Sequence, residues 1–291
     1  MTGQGASGTP QSTSRLIAIL GLSGFASTVS MRLVDPLVPM IADALTRSVV
    51  EIALISSVFT LSYAAGQPFL GPIADALGKA RIIVACLGLI AVTNFAAALA
   101  PDYPSLAILR GLSGVFAGGV IPVAMAAIGD RVDMGHRQVA LSRFLAAMTF
   151  GQIAGSMLSG VIGTWAGWRF SFVFAGCVSA LAGIIVAMML KPQQGAVRSR
   201  LDFAVAISRY RDVLRNPKAL PLFALVIAEG MCLFGVFPYI AEIVRGRGAG
   251  TAAEAGLVIA PFGLGGLAYA ALAPWLVSRI GPRRMALAGG V

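Results

Sequence analysis

The chain has 291 residues, 57% of them hydrophobic and 12% charged. A soluble domain carries about 25% charged residues, and the mean hydropathy of +0.85 excludes that class. The net charge of +10 would suit a polyanionic partner, but its placement along the chain has another origin, and nucleic acid is not an expected partner.

Residues 1–14, rich in Gly, Ser, Thr, Pro and Gln, read as a disordered tail. The apolar residues that follow come in runs of about twenty, the length that crosses a hydrocarbon core about 30 Å thick. Spans are predicted near 16–41, 50–74, 82–100, 105–128, 141–164, 170–190, 219–241 and 254–277, with a ninth starting near 285. The first run is too long for a signal-peptide core and has no convincing cleavage site, so it is expected to remain in the membrane.

This places a six-span bundle over 15–190 and a polar segment over 191–218. A second, incomplete set of spans occupies 219–291 and ends seven residues after Arg284. Too short to cross a bilayer, that last run is expected to be the start of a truncated ninth span. Between 191 and 218, Leu201, Val205, Ile207, Val213 and Leu214 alternate with Arg200, Arg209, Arg211 and Arg215. The pattern predicts a basic amphipathic helix on the inner membrane surface, ended by Asn216-Pro217.

With the N-terminus in the cytoplasm, the inner loops hold Arg15, Lys79, Arg81, Arg131, Arg137, Arg143, Lys191, the linker bases, Arg279, Arg283 and Arg284. The outer side holds Arg47, Arg169, Arg245 and Arg247. This is the positive-inside bias, and it explains the basic excess. The expected setting is a bacterial-type inner membrane, crossed many times.

Two short basic turns repeat. Gly71-Pro72-Ile73-Ala74-Asp75-Ala76-Leu77-Gly78-Lys79-Ala80-Arg81 follows one span, and Pro274-Trp275-Leu276-Val277-Ser278-Arg279-Ile280-Gly281-Pro282-Arg283-Arg284 follows another late in the chain. Duplicated halves of this kind mark secondary transporters.

Ionisable residues inside spans are costly and usually face a cavity or a partner. Arg32 and Asp35 lie three apart on one face of the first span. Arg110, in the oppositely running fourth span, falls at similar depth. A carboxylate beside a guanidinium has its proton affinity set by that pairing, which suits proton coupling; a static ion pair between helices, or Asp35 at headgroup level, is the plainer reading. Glu229 lies mid-way along the seventh span. It reads as a cavity residue touching solute or carrying a proton, or as a buried neutral acid bonded to a neighbouring helix. Gln152 and Asn94 read more readily as bridges between helices than as solute ligands. Phe59, Tyr63, Phe234, Phe237 and Tyr239 fit an apolar pocket or bundle packing equally well. Gly114 and Gly118 form one GxxxG pair and Gly151 and Gly155 another, a pattern of close helix packing. Cys86, Cys177 and Cys232 lie in separate spans without CxxC spacing and read as small packing residues.

On these residues the chain resembles the major facilitator superfamily, in particular its drug:proton antiporter-like branch. The loop between the second and third spans of that family reads roughly G-x-L-A-D-R-x-G-R-R; Gly71, Ala74, Asp75, Gly78, Lys79 and Arg81 match, with Ala76 and Ala80 where bases are common. Arg110-Gly111-Leu112-Ser113-Gly114 resembles the fourth-span pattern, and Asp35-Pro36-Leu37-Val38-Pro39 the end of the first span. Gly167-Trp168-Arg169-Phe170 is similar to the family's approach to the sixth span. Gly151, Gly155 and Gly160 match the antiporter signature, with Ser156 for its proline and Ser159 for a glycine.

The resemblance implies an all-α fold of two six-helix bundles, the second incomplete here, that rock about a midplane site. It implies a latch at Asp75, which Arg81 and Asp130 would complete; a solvated loop charge is the alternative. It implies export of a small organic solute against protons by a monomer that needs no cofactor and no metal. The rival is a truncated, non-transporting membrane protein or interaction module.

An enzyme is not expected. Gly111-Leu112-Ser113-Gly114 matches the GxSG motif of intramembrane serine proteases, but that chemistry needs a histidine on another membrane helix. The single histidine, His136, falls in a loop. A Gly-x4-Gly-Lys-Ser/Thr phosphate loop is absent from the sequence.

Overall fold

Proline decides where the first span stops being straight. Pro36 has no amide to give the carbonyl four residues back, and its ring crowds that carbonyl, which belongs to Arg32. In the computed structural model, which describes residues 10–190, 208, 211–213, 215–217, 219–248 and 251–280, α1 (Pro10–Arg32) ends there. A 3₁₀ turn over Asp35–Leu37 follows, and α2 (Val38–Leu45) resumes the path. The seventh span breaks by the same rule. Pro238 faces the carbonyl of Phe234, where α8 (Leu220–Phe234) ends, and α9 (Phe237–Gly246) continues. Val34 and Val236 share φ −81° and ψ −29°. The amides of Leu37 and Tyr239 donate to Val34 and Val236 oxygens at 2.8 and 3.0 Å. Both spans expected to be continuous are therefore broken, at equivalent turns of the two halves.

Between these lie α3 (Val49–Leu77), α4 (Lys79–Ala98), α5 (Tyr103–Arg131), α6 (Met134–Ala166) and α7 (Trp168–Met189); α10 (Ala252–Ile280) closes the described chain. Every regular element among the described residues is helical. Seven stretches are long and apolar enough to cross a membrane, and α10 is apolar over Ala252–Ala268. Helix ends follow their local chemistry. Ser48 and Glu51 form a capping box on α3, and Asp102 accepts from the Ser105 amide at the start of α5. Gly78, at φ +102°, supplies the left-handed turn from α3 to α4.

The first six spans pack as α3 on α5, α1 on α6, α4 on α7 and α4 on α5, while α10 runs along α6. Two apolar clusters form the core. One gathers around Leu20, Phe59, Ile83 and Phe144, the other around Leu33, Leu37, Ile52 and Phe172. On α1, α4 and α5, buried polar residues fall between the two: Ser30, Asn94, Arg110 and Ser113.

Residues 10–14, expected as tail, are the first turn of α1. The rest of that tail, most of the 191–218 linker and the ninth span with Arg283 and Arg284 lie outside the described residues; Arg211, Asp212 and Val213 of the linker are helical. Cys86 is buried as expected, but Cys177 and Cys232 are exposed rather than packed.

Candidate functional site

Helix order carries Lys79, Arg81, Asp130 and Arg137 to one end of the bundle and Arg47, Arg169 and Arg245 to the other. Between the ends, α1 places Arg32 at its last residue and the 3₁₀ turn places Asp35 one turn on. Arg32 Nη1 donates to Asp35 Oδ2 at 3.2 Å, and Ser56 Oγ of α3 donates to Oδ1 at 3.1 Å. The carboxylate is 1% exposed, so its partners replace water. Arg32 Nε also donates to Gln152 Oε1 of α6 at 3.4 Å. Gln152 thus bridges helices, and it does so at the same arginine.

Arg110 does not join this ion pair. Among the described residues Asp35 pairs with Arg32, and Arg110 acts on it only through space. The Arg110 guanidinium lies 4.2 Å from the Phe59 ring centroid and 6.0 Å from that of Phe172. Its Nη1 donates to the Ser30 carbonyl at 3.0 Å, while Nε and Nη2 have no partner. The expected Asp35–Arg110 pairing is corrected: shared depth does not fix rotation about the helix axis, and the nearer cation on the chain wins. Asn94 Nδ2 donates to Ser30 Oγ at 3.0 Å, and the Ser30 and Ser113 hydroxyls lie 3.5 Å apart. A polar layer of Ser30, Asn94, Arg110 and Ser113 therefore crosses α1, α4 and α5.

The hydroxyls of Ser30 and Ser56 escaped the sequence reading. The spacing of Ser23, Ser27 and Ser30 at helical intervals on α1 is the signal that would have found the first.

At the Lys79 end, the base that joins the acids is Lys79. Its ammonium lies 3.5 Å from Asp75 Oδ1 and pairs directly with Asp130 Oδ2 of α5. Arg81, expected to do this, is exposed on α4 and is not in the bridge. The reason is local: Lys79 opens α4 beside the last turn of α3, whereas Arg81 lies two residues further round. Gly71, on α3, has open space where a Cβ would stand, and Gly78 makes the turn. Glu229, expected in a cavity or bonded to a neighbour, is instead exposed on α8, whose described side chains are almost all uncovered.

The three signature glycines divide between two contacts. A Cβ on Gly151 would stand 2.5 Å from Phe25 O, and one on Gly155 2.6 Å from Val29 O, so both bring α6 against α1. Gly160 faces the other way, against the carbonyl of Ala252 at the start of α10. Next to it the Ala253 amide donates to Thr164 Oγ1 at 3.1 Å, and Arg245 pairs with Asp43 at 2.9 Å. These contacts join the first six spans to the second set at the Arg245 end.

The Major Facilitator Superfamily model matches residues 20–291. The uncharacterized MFS-type transporter YwfA of Bacillus subtilis (strain 168) is 24% identical over 273 residues, 94% of this chain and 66% of the relative. A chloramphenicol resistance protein of Streptomyces lividans is 24% identical over 205 residues, 68% of this chain and 51% of the relative. The crystal structure of a bacterial homolog to the human lysosomal transporter Spinster, inward-facing and unoccupied, has a TM-score of 0.78 at 17% identity, covering 95% of this chain and 64% of that one. The chain spans about half the length of the curated relatives it matches, 55% in one case. With broken first and seventh spans, a buried ion pair at the first of these breaks and a family model that covers almost the whole sequence, the chain belongs to the Major Facilitator Superfamily.

Proposed function

We propose that the protein is a secondary transporter that exports a small organic solute in exchange for protons, by alternating access of its two halves. The observation that carries this reading is Asp35: a carboxylate enclosed between Arg32 and Ser56, where the first half meets the second. A proton taken up there removes a charge from an ion pair that water does not screen, and so alters the balance between two packings. Arg110, through space, tunes that carboxylate. Gly71, Asp75, Gly78, Lys79 and Asp130 form the latch at the inner end, and Gly151, Gly155 and Gly160 are the surfaces on which α6 moves. Likeness to a chloramphenicol resistance protein supports an organic, drug-like solute and outward transport. The basic inner loops support an inner-membrane protein with its N-terminus in the cytoplasm. With contacts between the halves gathered at the Arg245 end, that orientation makes this an inward-facing arrangement of a monomer.

The test uses proteoliposomes loaded with chloramphenicol as probe. Proton-gradient-driven movement of the probe is expected, with loss in Asp35→Asn and Arg110→Ala at normal membrane insertion. Unimpaired movement in both variants removes the site assignment. A second reading, a non-transporting interaction module, draws on the uncovered surface of α8. Correct insertion without movement of any tested solute, under any gradient, is the outcome that favours it.

A further inference from the structure

Arg32 belongs to two contacts at once. Its edge holds Asp35 and Gln152, both in the first bundle. Its face lies in a notch between two rings of the second set of spans, with Cζ 4.6 Å from the Phe234 centroid and 4.5 Å from that of Phe237. Those rings are 5.8 Å apart and tilted by 53°, and both meet Phe262 of α10 edge-on. A planar cation is attracted to an aromatic face, more so where water is excluded, and Arg32 is only 7% exposed. Arg32 ends α1, Phe234 ends α8 and Phe237 opens α9. The clamp therefore joins the two helix breaks directly.

We infer that Arg32 transmits the charge state of Asp35 to the contact between the halves: an ionised carboxylate holds the guanidinium in the Phe234–Phe237 notch, and a neutral one releases it. The inference rests on the proposed proton-coupled role of Asp35. The ionic bond to Asp35 is the strong one; the bond to Gln152 is long and to a neutral acceptor. Arg32 Nη2 already has no partner. Without the carboxylate charge, a buried cation would keep one weak hydrogen bond and two ring faces. Such a cation is costly, and a long side chain lowers the cost by moving its head to water, which breaks the stacking.

Other charges near the break, Glu242 excepted, are committed elsewhere or distant. Asp43 of α2 pairs with Arg245 of α9, Glu51 of α3 pairs with Arg47, and Glu254 of α10 accepts from the Thr251 amide. α9 also carries Glu242, one oxygen of which is buried without a partner. α6 has His136, Arg137 and Arg143 towards its opposite end. Arg110 of α5 acts on Asp35 through space while stacked on Phe59.

The experiment places spin labels at positions 14 on α1 and 222 on α8 of the whole chain in lipid nanodiscs, with Cys86, Cys177 and Cys232 replaced. Pulsed resonance measures their separation from about pH 5 to about pH 9, and the carboxyl infrared band lost in Asp35→Asn reports protonation of Asp35. Acidification is expected to shift the ratio of the clamped to the released population, read as two separations, about fivefold or more, the change that one cation–π contact supports. Asp35→Asn should show the acid ratio throughout. Arg32→Leu and, independently, the double variant Phe234→Leu/Phe237→Leu should lose the pH response while the Asp35 band still titrates. Arg32→Lys, which keeps the charge without the planar face, should give a partial response. A full response in the double phenylalanine variant, with the band titrating, overturns the clamp alone. A band that does not titrate overturns the proton-coupled reading of Asp35 and the clamp with it.

Discussion

The two buried arginines are held differently, and removing the partner of one costs more than removing the other outright. Asp35 is the only ion-pair partner of Arg32 among the described residues, whereas Arg110 has no ion-pair partner and makes one hydrogen bond, to Ser30 O. Removing one member of a buried pair strands the other, at a cost of about 3–5 kcal/mol. Asp35→Leu is therefore expected to destabilise the protein by about that amount. Arg110→Leu removes a charge that is already poorly satisfied and should stay within about 1 kcal/mol, because exchanging buried ionic groups for apolar ones is often neutral. Unfolding of both variants in detergent checks the order, and equal losses would contradict it. The latch makes a second contrast. The Lys79 side chain is 19% exposed, and its partners Asp75 and Asp130 are 55% and 44% exposed, so water screens the pairs and they are worth about 0–1 kcal/mol. Lys79→Gln should leave stability almost unchanged yet impair transport. Arg81→Gln should change neither stability nor transport, which parallel thermal scans and uptake measurements would show.

Helix contacts are where small residues matter. The pattern at Gly114 and Gly118 points to close packing, and α5 does lie against α3 there: a Cβ on Gly114 would meet the Phe59 carbonyl, and one on Gly118 the Tyr63 carbonyl. Gly66 reciprocates, 2.5 Å from Val115 O. Gly71, from the same sequence motif as the latch, has open space around its Cβ direction. Gly114→Ala should then cost about 1–3 kcal/mol through forced separation of α3 and α5, while Gly71→Ala is neutral or mildly stabilising. The motif text ranks both glycines alike, because a sequence states where a glycine is and not what lies opposite. At the head of α5 the Ser105 hydroxyl and amide, 2.6 and 3.0 Å away, hold the Asp102 carboxyl below the ordinary carboxylate range. A depressed value adds stability above the unfolded-state pKa of about 3.9, and that stability is lost as the pH falls through the folded value. Protection of the first-turn amides of α5, taken relative to their intrinsic exchange rates, should therefore fall on acidification below about pH 4. In Asp102→Asn, which does not titrate, the same turn should show no such acid step.

Across the whole molecule, hydropathy and loop charge were enough to read an all-helical membrane protein of two related halves, because runs of apolar residues report length and lipid contact directly. They could not report the breaks at Arg32 and Phe234, since apolar character continues across both; Pro36 and Pro238 held that information through the carbonyls they block. Nor could depth along a span say that Asp35 turns to Arg32 rather than Arg110, or that Glu229 stands exposed on α8. The junction of the halves was half legible. Gly160 was read as part of a signature, but its facing surface on α10 was not: Gly256 meets Ser156 O at 2.9 Å, and Gly263 meets Ile153 Cδ1 at 2.6 Å, measured from an added Cβ. These glycines let α10 lie along α6 without any water-driven attraction, so the junction depends on backbone proximity. Gly160→Val would drive a branched side chain into the Ala252–Ala253 backbone beside the Thr164 hydrogen bond and the Asp43–Arg245 pair. An exposed ion pair supplies too little to hold the junction closed against that. The Arg245 end is therefore expected to open, and the labelling rate of Thr164→Cys by a membrane-impermeant maleimide should rise about fivefold or more, as a packing cost above about 1 kcal/mol requires. Gly265→Ala, with nothing within 4 Å of its added Cβ, should leave that rate unchanged; a rise of similar size in both would mean that the halves are not held together by the small-residue face of α6.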